Sequence, residues 1–458
     1  MQDKFGADVT ATRPETIAAW NAAMDQYLDF SGSPVGMLDA VDDEAFVMGP
    51  VFCAAMRILG GAAPDNPQLG LNLAALHRAA PHGSRAEAAH ATAVEFLSMG
   101  EFTRAAMQWD AIIAQCPQDV LALKCAHETW FLVGDAALMR ASTEAALDRL
   151  DPDDPTFAVA AAQHGFALEE TGDYAEAESW GRLALDMMPS DCWALHCLAH
   201  VYETQNRHVD ALALLEAKQP FWQKQNLLNA HIWWHLALRH VETGAHDQVL
   251  AIFDEHLSEV SAGDRYRLTD GTSLLWRLEL EGVDVGDRWR LMADKWAASA
   301  ESHTIAFLDL HAALAFARCP DHVAADRFFE SLDAAFAGAS HENAGIYIDV
   351  LRPLAAAIRT FGIDPSATAE KIAPLLPELH RIGGSIVQRE LVERSFSSAL
   401  LAAGQAKAAE NWLLPKSRQH PNTPWILRSR AQAAQLRGDL PGATLLNRRA
   451  DLMFGGFE

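Results

Sequence analysis

Apolar residues recur along the chain with the three- and four-residue spacing of amphipathic helices, and the β-branched alternation of strands is nearly absent. Short turn signals interrupt these helical stretches, and they begin at residues 100, 134, 172, 206, 244, 404 and 438. The first five lie 34, 38, 34 and 38 residues apart, and the last two are again 34 apart. A period of this length, with an extra four residues equal to about one helical turn, predicts a repeat of antiparallel helix pairs.

Each turn signal has a residue suited to ending a helix. It starts with glycine, or with asparagine at position 206, directly after an apolar stretch. Both residues tolerate the left-handed backbone conformation that terminates a helix. Alanines follow where two helices must approach closely, and we expect Ala177 and Ala184 to be buried at such contacts.

The remainder of the chain also reads as helical. Residues 15–80 predict helices broken near 32–34 and 60–61, and residues 262–380 keep a helix-pair rhythm without clean turn markers. We therefore predict an all-α fold, a right-handed α-solenoid of antiparallel helix pairs that strong curvature would close around a central hollow. The expected regions are an N-terminal helical cap (1–80), a repeat array (81–260) and C-terminal helical repeats that continue the same solenoid (261–458).

The clearest unit is GFALEETGDYAEAESWGRLALDMMPSD at 165–191, which resembles the tetratricopeptide repeat. Small, aromatic and terminating residues stand at that family's positions: Gly165, Gly172, Tyr174, Ala177, Ala184 and Pro189. This resemblance implies an architecture and says little about function.

The whole chain also resembles the tetratricopeptide repeat protein 38 family. The stretches that carry this resemblance are FVMG (46–49), ALKCAHETWFLVG (122–134), HCLAHVYE (196–203), FWQKQNLLNAHIWWHLAL (221–238), LWRLELEGVDVGDRW (275–289) and IGGSIVQRE (382–390). They span most of the chain. The resemblance implies the fold and brings no settled biochemical activity with it.

Charge narrows the expected partners. The chain has 36 basic and 61 acidic residues, a net charge of −25. Such a balance supplies no excess of cations for nucleic-acid phosphates or an anionic membrane, so we expect neither as a partner. The negative electrostatic potential of the protein suits a neutral or cationic small molecule or peptide, or a metal ion, better.

Cysteine usage and the N-terminus indicate a soluble, cytoplasmic protein. The six cysteines form no C-x-x-C pair and lie in alanine- and leucine-rich stretches, which favours reduced thiols over disulfides or zinc–thiolate sites. The sequence shows neither the start of a signal peptide nor an apolar window long enough for a membrane span.

The repeat phase predicts which side chains line the concave groove. In tetratricopeptide repeats, the groove positions lie ten, six and three residues before the turn residue. Counting back from residue 206 gives His196, His200 and Glu203. The same count from the other markers gives His90, Lys124, Glu128, Phe166 and Glu169.

The next helix carries a second histidine pair, His231 and His235, 35 residues after the first. Two such pairs on neighbouring helices have the right donors for a divalent metal such as zinc. H-E-x-x-H is absent, however, and histidine pairs at this spacing are often structural. Structural, ligand-binding, metal-binding and metal-free acid–base roles therefore stay open.

The second half adds further candidates. Asp270 lies in one helix and His311 in another. The Gly-Gly-Ser at 383–385 predicts a helix cap, or less favourably an anion cradle, with Gln388 and Arg389 in the following turns. If the solenoid curls tightly, Asp270, His311 and Arg389 face the histidine pairs.

Two functions remain. One is a binding module that holds a small molecule or peptide in the histidine- and glutamate-lined groove. The alternative is a hydrolase or lyase, which uses His196, His200, Glu203, His231, His235, Asp270 and His311 as metal ligands or acid–base groups. The apolar C-terminal stretch LMFGGFE (452–458) would suit a homo-oligomer contact.

Overall fold

Antiparallel helix pairs follow one another through the computed structural model, which describes residues 1–223 and 227–453. Most of the LMFGGFE stretch, residues 454–458, lies outside the described residues. Within the described ranges the helices are α1 (Pro14–Leu28), α2 (Pro34–Asp39), α3 (Met48–Leu59), α4 (Pro67–Ala79), α5 (Arg85–Ser98), α6 (Phe102–Ile113), α7 (Val120–Val133), α8 (Ala136–Leu147), α9 (Phe157–Glu170), α10 (Tyr174–Met187), α11 (Cys192–Thr204), α12 (His208–Ala217), α13 (Gln219–Trp222), α14 (Asn229–Thr243), α15 (His246–Ile252), α16 (Arg265–Leu280), α17 (Arg288–Trp296), α18 (Ala306–Arg318), α19 (Ala325–Ala334), α20 (Glu342–Ile346), α21 (Arg352–Thr360), α22 (Pro365–Ile372), α23 (Ile386–Ala402), α24 (Ala406–Gln419), α25 (Pro424–Leu436) and α26 (Leu440–Leu452).

Irregular helical turns extend some of these elements. Phe253–Leu257 and Tyr347–Leu351 are π-helical, and Ala373–Ile382 is a 3₁₀ stretch between α22 and α23. Across the described part of the chain the only β pairing is an isolated bridge between Gln2 and Asp8. The predicted all-α solenoid of tetratricopeptide-like helix pairs is confirmed.

The predicted turn residues end their helices as expected. All seven have left-handed backbone, with φ between 55° at Asn206 and 85° at Gly172. Helix starts are also locally encoded. The Asp191 side chain accepts hydrogen bonds from the backbone N–H groups of Trp193 and Ala194, and this fixes the start of α11. Repeat phase and capping therefore place the histidines of α11 on a defined face.

Small residues allow the helices of a pair to approach closely. Ala177 and Ala184 are fully buried, as predicted. A Cβ added at Gly165 or Gly181 would lie 3.0 Å from Cys197 Sγ or Leu198 Cδ2, respectively. Helices α9 and α10 both pack against α11, so its position is fixed by close packing.

The solenoid curls until its C-terminal half meets its N-terminal half. The 3₁₀ stretch packs on α7, where a Cβ at Gly134 would lie 1.8 Å from the carbonyl oxygen of His380. Gly383 meets the same end of α7, since its Cβ would lie 2.8 Å from Leu132 O. The glycines at 134 and 383 are therefore required for the closing contact as well as for their positive φ.

Helix α23 occupies the concave side of the curl. The backbone N–H of Ile386 donates to Glu170 Oε1 at 2.8 Å, and Trp276 Nε1 donates to Ser395 Oγ at 2.8 Å. Asn206 Nδ2 donates to Thr423 Oγ1 at 3.0 Å further along. Repeats far apart in sequence thus share one interior, and the groove is largely filled by the chain itself.

The main hydrophobic cluster extends from Phe5 to Ala433. Of the six cysteines, only Cys116 is not buried. No helix in residues 1–223 or 227–453 is both long and apolar enough to cross a membrane. The division into three regions at residues 80 and 260 stays a prediction.

Candidate functional site

A cavity of about 260 Å³ remains inside the curl, bordered by α7, α9, α11, α14, α16 and the start of α23. One side of it is apolar and mostly aromatic. The other side is polar, and its charged and hydrogen-bonding groups include Glu128, His196, His200, His231, Arg267, Asp270 and Gln388. A space of this size with a few converging polar groups has the usual character of a small-molecule site.

Four imidazoles cluster at the polar side. His196 and His200 lie one turn apart on α11, and His231 and His235 lie one turn apart on α14. Neighbouring ring centroids are 4.4 to 4.9 Å apart: His196–His200, His200–His235, His235–His231 and His231–His196. His196 Nε2 lies 3.0 Å from His231 Nε2. The two histidine pairs therefore face each other, as their spacing predicts.

Three carboxylates lie behind the imidazole cluster, each on the Nδ1 side of a ring. Asp270 Oδ1 is 2.8 Å from His231 Nδ1. Glu169 Oε2 is 3.5 Å from His200 Nδ1, and Glu203 Oε2 is 3.9 Å from His235 Nδ1. These groups can fix the orientation of the rings and the position of their protons.

Burial keeps most of the cluster uncharged. His196, His200 and His235 are 4%, 0% and 2% exposed. Loss of solvation lowers the pKa of His200 to about 3 and holds the pKa values of His196 and His235 well below 6.5, where the neighbouring imidazoles add to the effect. At neutral pH these rings are therefore neutral and have a lone pair available.

Several imidazole nitrogens lack a hydrogen bond. Both nitrogens of His200 and of His235, and Nδ1 of His196, are buried with no hydrogen-bond partner among the residues the structure describes. Buried polar atoms of a native protein are nearly always paired, with protein, water or ligand. Five such atoms in one cluster indicate that something besides these side chains satisfies them.

Glu169 and Glu170 form a pair of buried carboxyl groups next to the imidazole cluster. Burial raises the pKa of Glu169 to about 8, and burial together with the neighbouring Glu169 raises that of Glu170 to about 7. Glu170 also accepts the hydrogen bond from Ile386 and lies 3.5 Å from Arg389 Nη2. The carboxyl pair thus connects the histidines to the first turn of α23.

Aromatic residues on the apolar side of the cavity pack directly against the histidines. Phe166 stacks on His196 with ring centroids 5.3 Å apart, and Trp193 lies 4.9 Å from the same ring. Phe30 stacks on Trp193 at 5.9 Å. Phe30 has φ of 51°, a conformation that an aromatic residue adopts only when its surroundings impose it. The cavity wall is therefore held in a strained, specific arrangement.

The structure brings most of the predicted site residues together. Glu128, Phe166, His196, His200, His231, Asp270 and Gln388 border the cavity, and Glu169 and His235 lie directly behind it. The predicted cap at 383–385 is confirmed, because Ser385 and Gln388 form reciprocal capping bonds. The same residues place the Gln388 side chain at the cavity.

Four more predicted residues do not border this cavity. His90 bonds Asp119 at 3.0 Å and Trp109, and so braces the start of α7. His311 Nδ1 bonds the carbonyl of Phe307 in its own helix. Glu203 and Arg389 border a different cavity, where Glu203 pairs with Arg239. Counting back from the turn residue finds the correct face of a helix. It does not show which side chains on that face are covered by segments that are distant in sequence.

Some site residues were not predicted. Trp193, Phe30, Tyr266 and Thr269 border the cavity, and Glu170 joins the carboxyl pair. Trp193 lies three residues before His196 on α11, so the helical spacing contained a signal for it. Phe30 comes from the N-terminal cap, and no repeat count reaches that region.

No protein-family model matches the chain. Among solved structures, the human IFIT1 dimer with m7Gppp-AAAA shares 13% identity at a TM-score of 0.42, over 99% of this chain and 96% of that one. The human IFIT1 dimer with PPP-AAAA shares 13% at 0.43, over 99% and 98%. The P58(IPK) TPR domain shares 12% at 0.22, over 82% and 95%. Such likeness extends no further than the helical-repeat architecture that the helix pairs already show.

These structures correct one expectation. The exclusion of nucleic acid as a partner, drawn from net charge, is wrong, because IFIT1 proteins of the same general architecture are seen with m7Gppp-AAAA or PPP-AAAA. Net charge sums the whole surface, whereas a ligand meets only the groups at its site. Here Arg389, Arg394 and Lys416 border one cavity despite the net charge of −25, and each of them is paired with a glutamate.

Proposed function

We propose that this protein is a ligand-binding tetratricopeptide-like solenoid, and that it takes one small molecule into the cavity between α11, α14, α16 and α23. The observation that carries the proposal is the cavity itself. It combines an aromatic side, formed by Phe30, Phe166 and Trp193, with converging imidazole, carboxylate and amide groups. The aromatic side supplies contact area and the polar groups fix orientation.

The size of the cavity selects the ligand class. About 260 Å³ is near the lower limit of ordinary small-molecule sites. Because α23 fills much of the concave side, an extended peptide has no continuous groove to follow. A compact metabolite therefore fits better than the peptide that was considered from the sequence.

The charge of the lining favours a neutral or cationic ligand. Glu128 and Asp270 border the space, and the buried imidazoles beside them are neutral. Arg267 also borders the cavity and lies 3.8 Å from Asp264, and Lys124 behind the Trp193 ring pairs with Glu128 at 3.2 Å, so both nearby cations already have a carboxylate partner. A ligand with an amino or other donor group would meet the carboxylates of Glu128 and Asp270.

Family membership and location are part of the proposal. Two of the stretches that resemble the tetratricopeptide repeat protein 38 family, HCLAHVYE and IGGSIVQRE, form the histidine face of α11 and the capped start of α23. This supports membership of that family. Cysteines that are mostly buried and form no C-x-x-C pair support a reducing, cytoplasmic location.

The test is a thermal-shift and native mass spectrometry screen with small neutral and cationic metabolites. A bound molecule should raise Tm, and Glu128→Gln should weaken a cationic ligand about tenfold, the loss of one charged hydrogen bond. Glu95→Gln, on the outer side of α5, is the matched control and should bind normally. Stabilising molecules that are insensitive to both Glu128→Gln and Phe166→Leu would place binding outside this cavity.

A reaction in the same cavity, of the hydrolase or lyase type, is the second candidate. It is favoured by the pairing of a neutral imidazole, His200, with a carboxyl group, Glu169, whose pKa is raised by burial to about 8. The Glu169 carboxyl can exchange a proton near neutral pH, while the neutral His200 ring can accept or donate a hydrogen bond beside it. Mass spectrometry of each stabilising molecule after incubation tests this, and turnover that His200→Asn leaves unchanged would argue against it.

A further inference from the structure

The four imidazoles of α11 and α14 form a group whose geometry differs from that of ordinary buried histidines. One ligand atom from each of His196, His200, His231 and His235 lies within 4.8 Å of every other. They come from two helices, each supplying residues at i and i+4, so the helix backbones hold all four positions.

The nitrogen spacing suits a transition metal. Nitrogens bound to zinc in a tetrahedron are roughly 3.3 Å apart when each lies about 2.0–2.1 Å from the ion. His196 Nε2 and His231 Nε2 are 3.0 Å apart, close to such an edge. The other ligand nitrogens of the four histidines are at most 4.8 Å apart, and small rotations of the imidazole rings bring them to the spacing of a tetrahedral site.

The carboxylates are on the correct side of the rings. Asp270, Glu169 and Glu203 lie on the Nδ1 side of His231, His200 and His235, at 2.8, 3.5 and 3.9 Å. A metal-binding histidine commonly donates one N–H to a carboxylate and binds the ion through its other nitrogen. The His231 ring has this arrangement with Asp270, which leaves its Nε2 as the ligand atom, and carboxylates stand on the same side of His200 and His235 without a hydrogen bond.

The surrounding charges can compensate a divalent cation. Asp270 and Glu169 lie next to the cluster, while Glu203 shares its charge with Arg239. The other cations that bear on the site are Arg277, which acts on His235, Arg389, which is paired with Glu170, and Arg267, which borders the cavity and is paired with Asp264. The carboxylates of Asp270 and Glu169 therefore remain to balance the positive charge of the ion. Soft or borderline nitrogen ligands favour zinc and its neighbours over magnesium or calcium.

We propose that His196, His200, His231 and His235 together bind one divalent transition-metal ion, with zinc the best match. The site does not depend on the proposed function. Three of these histidines also border the cavity, so an ion held there adjoins the space in which a ligand is proposed to bind. On that proposed function, the ligand class narrows to molecules with a metal-coordinating group.

The test is metal analysis of the full chain, purified without a polyhistidine tag. The protein is stripped with a chelator, dialysed against zinc chloride and analysed by inductively coupled plasma mass spectrometry. About one zinc per chain is expected, and cobalt(II) in its place should give the intense visible absorption of a nitrogen-ligated, low-coordinate site. His200→Asn with His235→Asn should abolish both signals.

A matched control exists within the chain. His322 Nε2 lies 2.9 Å from Asp294 Oδ1, a histidine–carboxylate pair outside the cluster. His322→Asn and Asp294→Asn should therefore retain zinc, whereas Asp270→Asn should weaken its affinity about 10- to 100-fold without removing a ligand. The Asp270→Asn variant keeps all four imidazoles, so it remains informative if the double histidine variant misfolds.

Two results would overturn the metal site. One is less than about a tenth of an equivalent of zinc in the folded wild-type protein, which would leave ordered water as the partner of these nitrogens. The other is zinc retained equally by wild type and by a folded double histidine variant. A wild type that binds zinc but no metabolite would reject the proposed function alone.

Discussion

Glu169 shows how one buried group links the site to stability. Both of its carboxylate oxygens are fully buried in α9, next to Glu170, His200 and Thr204. The proposed metal ion would favour its ionised form. In chelator-treated protein the carboxyl has no such partner, and its ionisation opposes folding.

Glu169→Gln should therefore stabilise the chelator-treated protein in a pH-dependent way. The pKa of Glu169 is about 8 in the folded protein and near 4.5 in the unfolded chain, so the protonated carboxyl contributes its full stability below about pH 4.5. This contribution is lost as the pH rises through about 8. The variant should match wild type at pH 4 and exceed it by about 1–3 kcal/mol at pH 8. Urea unfolding at the two pH values measures this.

The control for this prediction is Glu176→Gln, on the exposed face of α10. It should leave the free energy of unfolding unchanged at both pH values. A Glu169→Gln variant that is less stable than wild type at pH 8 would mean that the folded protein uses the ionised carboxylate even without metal.

At the scale of elements, the turns serve two purposes. A turn glycine ends one helix and, where the curl closes, also admits another segment against its backbone. Gly134 does both: its φ is 78°, and the carbonyl of His380 occupies the place of a Cβ. Gly172, with φ of 85°, ends α9 and has open space around it.

Gly134→Ala and Gly172→Ala therefore separate the two roles. Both variants place an alanine in left-handed backbone, which lowers the free energy of unfolding by about 1–2 kcal/mol. Gly134→Ala must also displace the 3₁₀ stretch, so it should be destabilised further and should expose residues 373–390 to hydrogen exchange. Thermal unfolding and hydrogen-exchange mass spectrometry check this. Equal effects of the two variants would show that the closing contact contributes nothing to stability.

At the scale of the whole molecule, closure changes how the solenoid holds together. In an open array each repeat contacts only its neighbours. Here Arg394 of α23 reaches Glu242 of α14, and its guanidinium also lies 5.0 Å from the Trp425 ring. The pair is buried, and 152 residues separate its two members. Removal of one partner would leave the other charge uncompensated inside the protein.

Arg394→Met should cost about 3–5 kcal/mol of unfolding free energy. Adding Glu242→Leu should recover part of this loss, because it removes the most buried of the three carboxylates that Arg394 pairs with, the others being Glu281 and Glu390. Arg290→Met, which breaks an exposed pair with Asp321, should change stability by less than about 1 kcal/mol. Denaturant unfolding of the four proteins is the measurement. An Arg394→Met protein as stable as Arg290→Met would mean that closure does not depend on this pair.

The fold was predictable because its signals are local. Turn residues with left-handed backbone, capping side chains and apolar periodicity act within about one helical turn, and the sequence contains them directly. The histidine face of α11 followed from the same count. His90 occupied an equivalent position and was nevertheless placed elsewhere, since Asp119 and Trp109 take up both of its nitrogens.

The sequence by itself determined the helix pairs, their phase and the meeting of His196, His200, His231 and His235 on adjacent helices. Only the tertiary structure decided that Asp270 stands behind His231 while His311 lies elsewhere, and that α23 fills the groove. Periodicity fixes neighbours one turn or one repeat away. The curvature that joins residues more than 100 positions apart is the sum of small angles between many helices, and no local pattern specifies that sum.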